Sequence, residues 1–350
     1  MTEGDTLPTP AHHPPIRAAR MRTGVQILGF MLGLTLLAWC IYAAAKPENL
    51  KQWSRLREAP AESVAMLLAL SLATVVLNGA IFQFAIRPIA RLRAADIQSV
   101  NAVASLLAYL PFKLSMLFRV LVHNRRDGLA LFTIAAWFGA IAASMAIGVL
   151  PPLAFAWVRG RADAGWWAAS LGGVIGATVA TVVMARLLHA GPGWAWFERT
   201  WNKLPLRALL PRIHEGLRML ADPRAVITCV VLRLLDSAVH TARFLVAASI
   251  LGFDLPTDKA VIAGCSFFLI GIAAPSGTVG VREAFTGGLL GQLLSGVDPD
   301  QFFVAVLLVS AAEAVVTLPA ALLGAAWIKP WRLRRTPSTA LSPATPAQLP

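Results

Sequence analysis

Long apolar runs separated by short charged stretches set the pattern of this 350-residue chain. Six runs reach the roughly 20 residues that a helix needs to cross a bilayer's hydrocarbon. They cover about 24–45, 61–86, 129–158, 164–190, 224–252 and 301–328. Two more stretches, 97–121 and 258–297, are apolar but interrupted. The first is broken at Leu110-Pro111-Phe112-Lys113 and the second around Pro275, Gly277 and Gly280. Hydrocarbon offers a backbone no hydrogen-bond partners, so spanning segments must be helical, and a break is tolerated only where protein or a cavity surrounds it. The pattern predicts an all-α polytopic membrane protein.

The charged stretches order these runs. The N-terminal tail, Arg87/Arg91/Arg93, Arg119/Arg125/Arg126, Arg199–Arg224 and Lys329–Arg335 are basic. The alternate stretches, Lys46–Glu58, Arg159–Asp163, Asp254–Asp258 and Asp298–Asp300, are mixed or acidic. Basic loops stay on the cytoplasmic side. The alternation closes only if each interrupted stretch enters and leaves on one side. The expectation is therefore about six full spans plus two re-entrant hairpins, 97–121 from the cytoplasm and 258–297 from outside. Halves at about 24–158 and 164–328 would then form an inverted repeat, a transporter architecture. Both termini would be cytoplasmic, in a bacterial inner membrane.

Composition excludes other classes. Hydrophobic residues make up 57% and charged residues 14%, against about 25% charged in soluble domains. The net charge of +13 lies in loops beside spans, as orientation requires, so nucleic acid is not an expected partner. Cys40, Cys229 and Cys265 sit in apolar runs without metal or disulfide spacing and read as packing residues. The run after Arg17, Arg20 and Arg22 is longer than a secretory core, so it is expected to be retained as the first span. Trp157, Trp166 and Trp167 bracket one loop, and Trp327 and Trp331 mark the last exit, as interfacial indoles do. The segment 194–222 alternates apolar and basic residues and reads as amphipathic helices on the inner leaflet, with docking against the protein's own spans as the alternative. The ends, 1–23 and 331–350, are expected to be disordered cytoplasmic tails.

Charged residues inside the apolar runs are the candidate site, because such residues face protein or water and mark pathways. Arg282 and Glu283 follow the second break. Arg282 is a forked donor suited to phosphate, and Glu283 could pair with it or satisfy free amides. In the first hairpin, Lys113 lies in the break, and Arg119 reads equally as a ligand contact or as a snorkelling side chain. Arg233, Asp236, His240 and Arg243 share one helical face, either as an internal ion-pair ladder or as the wall of a headgroup cavity. Glu313 is a lone acid expected to pair with one of these arginines. No nucleotide loop, metal cluster or nucleophile–base pair is present, so no catalysis, cofactor or metal is expected.

The run Pro275-Ser276-Gly277-Thr278-Val279-Gly280-Val281-Arg282-Glu283-Ala284 resembles the Pro-Gly-Gly-x-Gly-x-Arg-Glu signature of the lysylphosphatidylglycerol synthase transmembrane family, also described as flippase-like membrane proteins. Arg243 through Gly252-Phe253, and Leu110–Lys113 followed by Arg119, support the resemblance over roughly 25–330. Ser276 stands where the family has glycine. Pro111-Phe112-Lys113-Leu114-Ser115-Met116 lacks the acid of the family's first hairpin. The resemblance implies two inverted halves and movement of lipid between leaflets, without the aminoacyl-transferase domain of bifunctional members. Expected partners are a phospholipid or other amphipathic lipid, a lipid-biosynthetic enzyme and a second copy of the chain. The expected function is translocation of a lipid with an anionic headgroup. The alternative is a non-catalytic accessory role in hopanoid or polyprenyl-lipid transport or biosynthesis.

Overall fold

The computed structural model describes residues 16–46, 50–110, 113–190, 210–274 and 278–331. Pro111, Pro275, Gly277, the segment 194–209 and most of both tails lie outside the described residues. The described chain is helical, without a strand. In order it forms α1 (Ile16–Ala44), α2 (Leu50–Arg57), α3 (Ala61–Ile86), α4 (Ala94–Leu107), α5 (Leu114–Arg125), α6 (Leu131–Arg159), α7 (Ala164–Ala190), α8 (Leu210–Ala221), α9 (Pro223–Leu251) and α10 (Thr257–Ala273). There follow a short α11 (Val281–Glu283), a π-helical stretch (Ala284–Leu290), α12 (Gly291–Leu293) and α13 (Pro299–Ile328).

Helices α3, α6, α7, α9 and α13 are long and apolar enough to cross a membrane. The sixth expected span falls on α1, whose apolar part is the shorter Ile27–Tyr42. Arg17, Arg20 and Arg22 fall in its opening turns. Helix α1 thus begins inside the stretch 1–23 expected to be disordered.

The interrupted segments are too short to cross. At ~1.5 Å per residue, the 14 residues of α4 and the 12 of α5 extend about 21 and 18 Å against ~30 Å of hydrocarbon. The ends of this pair come back together. Arg126, just after α5, bonds Asp96 in the first turn of α4 at 2.8 Å. Trp327, at the end of α13, donates its indole N–H to the same carboxylate at 2.8 Å. The second pair behaves likewise: Leu255 and Val261 at its start share one apolar cluster with Leu294 and Val297 at its close. Each pair is a hairpin, and the two enter from opposite ends of the bundle.

The tips meet. The Thr278 N–H donates to the carbonyl of Ala108 at 3.1 Å, and Lys113 Nζ donates to the carbonyl of Ile272 at 3.0 Å. Lys113 itself is left-handed, with φ 50°. These bonds supply partners for backbone groups that the helix breaks set free. Helix α1 crosses the second tip at a glycine pair. A side chain at Gly280 would collide with the Gly33 backbone, and its φ of 76° already favours glycine.

Packing decides three details that the chain left open. Trp166 is buried and donates to the Pro152 carbonyl, while Trp157 and Trp167 keep the exposed positions. Helix α8 packs against the protein's own helices, the alternative given for this segment. Its Met219 is buried with Trp137 and Cys229, because the apolar face finds helices to cover it. After α11 the second hairpin continues as the π-helical stretch Ala284–Leu290. All three cysteines are free and buried, as expected of packing residues.

Two outcomes test this arrangement. Cysteines placed at Asp96 and Arg126 should both react with an impermeant maleimide from the same side of sealed vesicles; labelling from opposite sides would remove the first hairpin. The loop between α6 and α7 offers a pH test. The hydrogen bond from Arg159, then that from the Trp166 backbone, holds the Asp163 carboxyl well below the usual carboxylate range. A depressed folded-state pKa means the contribution is present at neutral pH and is lost as pH falls below the unfolded carboxylate value of about 3.9. Amide exchange at Trp166 should therefore be insensitive to Asp163 protonation at pH 7 and accelerate at acid pH relative to Asp163→Asn.

Candidate functional site

Charged side chains converge midway along the long helices. On α9, the three-, four- and three-residue spacing aims Arg233, Asp236, His240 and Arg243 inward, and all four are buried. Glu313 lies midway along α13. Arg282 and Glu283 arrive on the second hairpin, Tyr109 on the first.

Glu313 is the junction. Its Oε1 accepts from Arg282 Nη1 at 2.9 Å and from Tyr109 Oη at 3.2 Å; its Oε2 accepts from Arg243 Nη2 at 2.8 Å. The sequence suggested one arginine partner, and the structure supplies two. Glu283 turns both ways. Its Oε2 accepts the Gly280 N–H at 2.8 Å, closing the start of α11, and its Oε1 accepts from Ser310 at 2.6 Å and from Arg282 at 3.3 Å. Both roles considered for Glu283, pairing and amide satisfaction, are present.

Arg233 pairs with Asp236 at 2.7 Å. Its aliphatic stem passes α6 at Gly148, where a Cβ would come within 2.8 Å of it. Arg243 also bonds the Val309 carbonyl at 3.0 Å and His240 Nδ1 at 3.2 Å. Every one of these guanidiniums lies over a phenylalanine ring. Arg282 is 3.9 Å from the Phe267 centroid, Arg233 is 4.8 Å from Phe268, and Arg243 is 5.8 Å from Phe267. Such stacking favours a cation more once it is desolvated.

Arg119 is placed differently. It does not snorkel: it is buried over Phe82 at 4.0 Å and donates to Asn101 Oδ1 at 2.6 Å. Asn101 also accepts from Asn78, which in turn accepts a long contact from Arg233 at 3.5 Å. Arg119 thus meets an amide where Arg282 meets two carboxylates, and it lines neither cavity described below. Lys113 caps the end of α10 instead of lining the centre. Tyr109, Asn78, Asn101 and Ser310 were not singled out from sequence. The two asparagines carried a signal, as amides inside apolar runs; the tyrosine and serine carried none.

Two cavities flank the junction. A polar one of about 150 Å³ is lined by Asn78, Ser105, Asp236, His240, Arg282 and Glu313, with threonines 74, 278 and 317. An apolar one of about 410 Å³ lies between α1 and α13, lined chiefly by Leu37, Ile41, Leu251, Val304 and Leu308; Tyr109, Glu283 and Ser310 form its polar rim. Among the described residues, no group of three or more His, Cys, Asp or Glu is arranged to hold a metal ion.

The comparison with known families bears on this pairing of broken hairpins around an Arg-Glu motif. Residues 26–321 match the family described as the lysylphosphatidylglycerol synthase TM region. The chain belongs to this family. Its function therefore lies with membrane lipids, in a multi-pass membrane protein. No curated protein and no solved structure matches the chain.

The junction makes opposite demands of two substitutions. Glu313→Gln strands Arg282 and Arg243, and removing one partner of a buried pair costs about 3–5 kcal/mol. Tyr109→Phe removes one hydrogen bond among several, at about 0.5–1.5 kcal/mol. Thermal unfolding in detergent should separate them in that order; equal effects would contradict the central place given to Glu313.

Proposed function

We propose that this protein moves a lipid with an anionic headgroup between the two leaflets of its membrane, without catalysing a reaction. The observation that carries this reading is the charge of the mid-depth core where the hairpins meet. Arg233, Arg243 and Arg282 are matched one for one by Asp236, Glu283 and Glu313, while Arg119 meets only the Asn101 amide. One positive charge is left in excess, in surroundings that solvate it poorly. An anionic headgroup in the adjoining polar cavity, whose lining residue Asn78 is joined to Arg119 through Asn101, offsets that charge. Arg282 lines the polar cavity and is the group assigned to the phosphate, since a planar fork can bind it in two places.

Helix tips facing one another at mid-depth suit a ligand that passes from one half of the bilayer to the other. The basic loops support a cytoplasmic side for one end of the bundle and for both termini, in keeping with a bacterial inner membrane. The carboxylates are bound to guanidiniums, which fits binding better than acid–base chemistry.

A second reading rests on the apolar cavity, which is larger than the polar one. A lipid with a bulky hydrocarbon body and a small head, of hopanoid or polyprenyl type, would use it most fully, with the protein as a non-catalytic accessory.

Purified protein in proteoliposomes should accelerate inversion of labelled phosphatidylglycerol. Arg282→Ala should slow it by at least about tenfold, the equivalent of ~1.4 kcal/mol from one charge-assisted contact. Wild-type protein that moves no labelled lipid, or a folded Arg282→Ala variant that moves it as fast, overturns the reading.

A further inference from the structure

The apolar cavity is a slot with a definite shape. On α13 it follows Val304, Leu307, Leu308, Ala311 and Ala314, positions on one side of the helix. On α1 it follows Leu37 and Ile41, one turn apart. Val304 and Ala314 are ten residues apart, or about 15 Å of helix rise. Spread along that length, a volume of about 410 Å³ leaves a section of roughly 27 Å². That is the width of one hydrocarbon chain and too narrow for a fused-ring body. The volume of the slot suits the second reading above, but its section suits the first. The lining is open to an occupant: Leu307, Leu308 and Ser310 are half-buried, and Ala311 and Ala314 are exposed.

The two ends of the slot differ. One reaches the junction, at Tyr109, Glu283 and Ser310. Tyr109 is bonded at 3.2 Å to Glu313, which lines the polar cavity. The two cavities thus stand back to back across one hydrogen bond. The other end reaches Leu251, at the close of α9, and Leu56 of α2. A polar latch fastens α2 there, beside the apolar packing of Leu56. Arg55 Nη1 donates to the carbonyls of Leu251 at 2.9 Å and Gly252 at 2.7 Å. A helix end leaves such carbonyls without partners and favours a cation. Gly252 makes room for it, since a Cβ there would collide with the guanidinium. Helix α1, joined to α2, packs on the second tip, the π-helical stretch and α13. Helices α1 and α2 are thus one wall of the slot.

We infer that this slot seats one acyl chain of the lipid whose headgroup lies at the junction, and that Arg55 latches the wall through which the chain enters. Beyond its junction end the lining is aliphatic, so a chain that leaves the bilayer exchanges one apolar surrounding for another. Position then decides the occupant: a headgroup held beside Arg282 brings its own chain to the slot. The seat presupposes the lipid ligand of the proposed function and adds where its hydrocarbon lies.

The test is photo-labelling of the full chain in proteoliposomes containing phosphatidylglycerol with a diazirine on one acyl chain. Cross-links should gather on 304–314, several-fold denser than on Leu171, Ile175 and Val179, exposed positions of α7. Ala311→Trp fills the slot and should cut labelling of 304–314 by about fivefold or more, as overpacking an apolar site does, with α7 unchanged. Ala314→Trp serves where that variant does not fold. Arg55→Ala should speed the onset of slot labelling several-fold without moving its position. Equal labelling of α13 and α7 overturns the seat, and so does displacement of the label by a fused-ring triterpenoid alcohol. An unchanged onset in Arg55→Ala overturns the latch. Each of these results leaves translocation standing. Slot labelling in a protein that inverts no lipid upholds the seat and removes translocation instead.

Discussion

A guanidinium in hydrocarbon must bring its own solvent, and this constraint organises the centre of the molecule. Each buried arginine is given a polar partner on one side and a phenylalanine face nearby. The partners come from different parts of the chain. Glu313 on α13 binds Arg243 on α9, Arg282 on the second hairpin and Tyr109 on the first. An ordinary hydrogen bond adds only about 1 kcal/mol net, but an orphaned buried charge costs several times more. The cluster therefore acts less by adding attraction than by penalising every arrangement in which one of these elements leaves.

The same rule applied to the backbone explains why the hairpins meet. A helix that stops inside a bilayer leaves carbonyls and amides that lipid cannot satisfy. Here the first hairpin provides a lysine for the end of α10 and a carbonyl for Thr278, while Glu283 takes the Gly280 amide. Neither tip is self-sufficient. Fold and site are consequently one construction: the bonds that make the breaks tolerable also bring Arg282 beside Tyr109 and Glu313. The glycine contact between Gly33 and Gly280 lets α1 close over this junction at backbone distance.

Much of this was legible in the chain, because bilayer thickness and charge placement are one-dimensional constraints. The interruptions at Leu110–Lys113 and around Pro275 marked the two stretches apart from the full spans, and the charge alternation led to the expectation of hairpins at 97–121 and 258–297. Charged residues in apolar runs named most of the central cluster. What failed was anything that depends on a partner from another element. An amphipathic pattern at α8 does not say whether lipid or protein covers it. A tryptophan beside a loop does not say which way it faces: Trp166 turns inward, while Trp157 and Trp167 stay exposed. Arg119 could have faced either way until Asn101 and Phe82 were seen beside it. Tyr109 matters only because a helix 204 residues later brings Glu313 to it.

The absent acid of the first hairpin gives the cluster its direction. With Asn101 as Arg119's partner, one half of the site holds a cation without neutralising it, and the other half holds Arg282 between two carboxylates. On the proposed function, phosphate could take Arg282 only by displacing a carboxylate. Glu313 makes that exchange tolerable. When its Oε1 gives up Arg282, it still has Arg243 on Oε2 and the tyrosine hydroxyl on Oε1. No carboxylate is stranded, so the exchange trades one charge-assisted bond for another instead of creating an orphan. A lone Arg282–Glu313 pair could not do this: its opening would leave a bare carboxylate at mid-depth. The second arginine on Glu313 is what allows a cluster that locks the fold to open at one bond for a ligand.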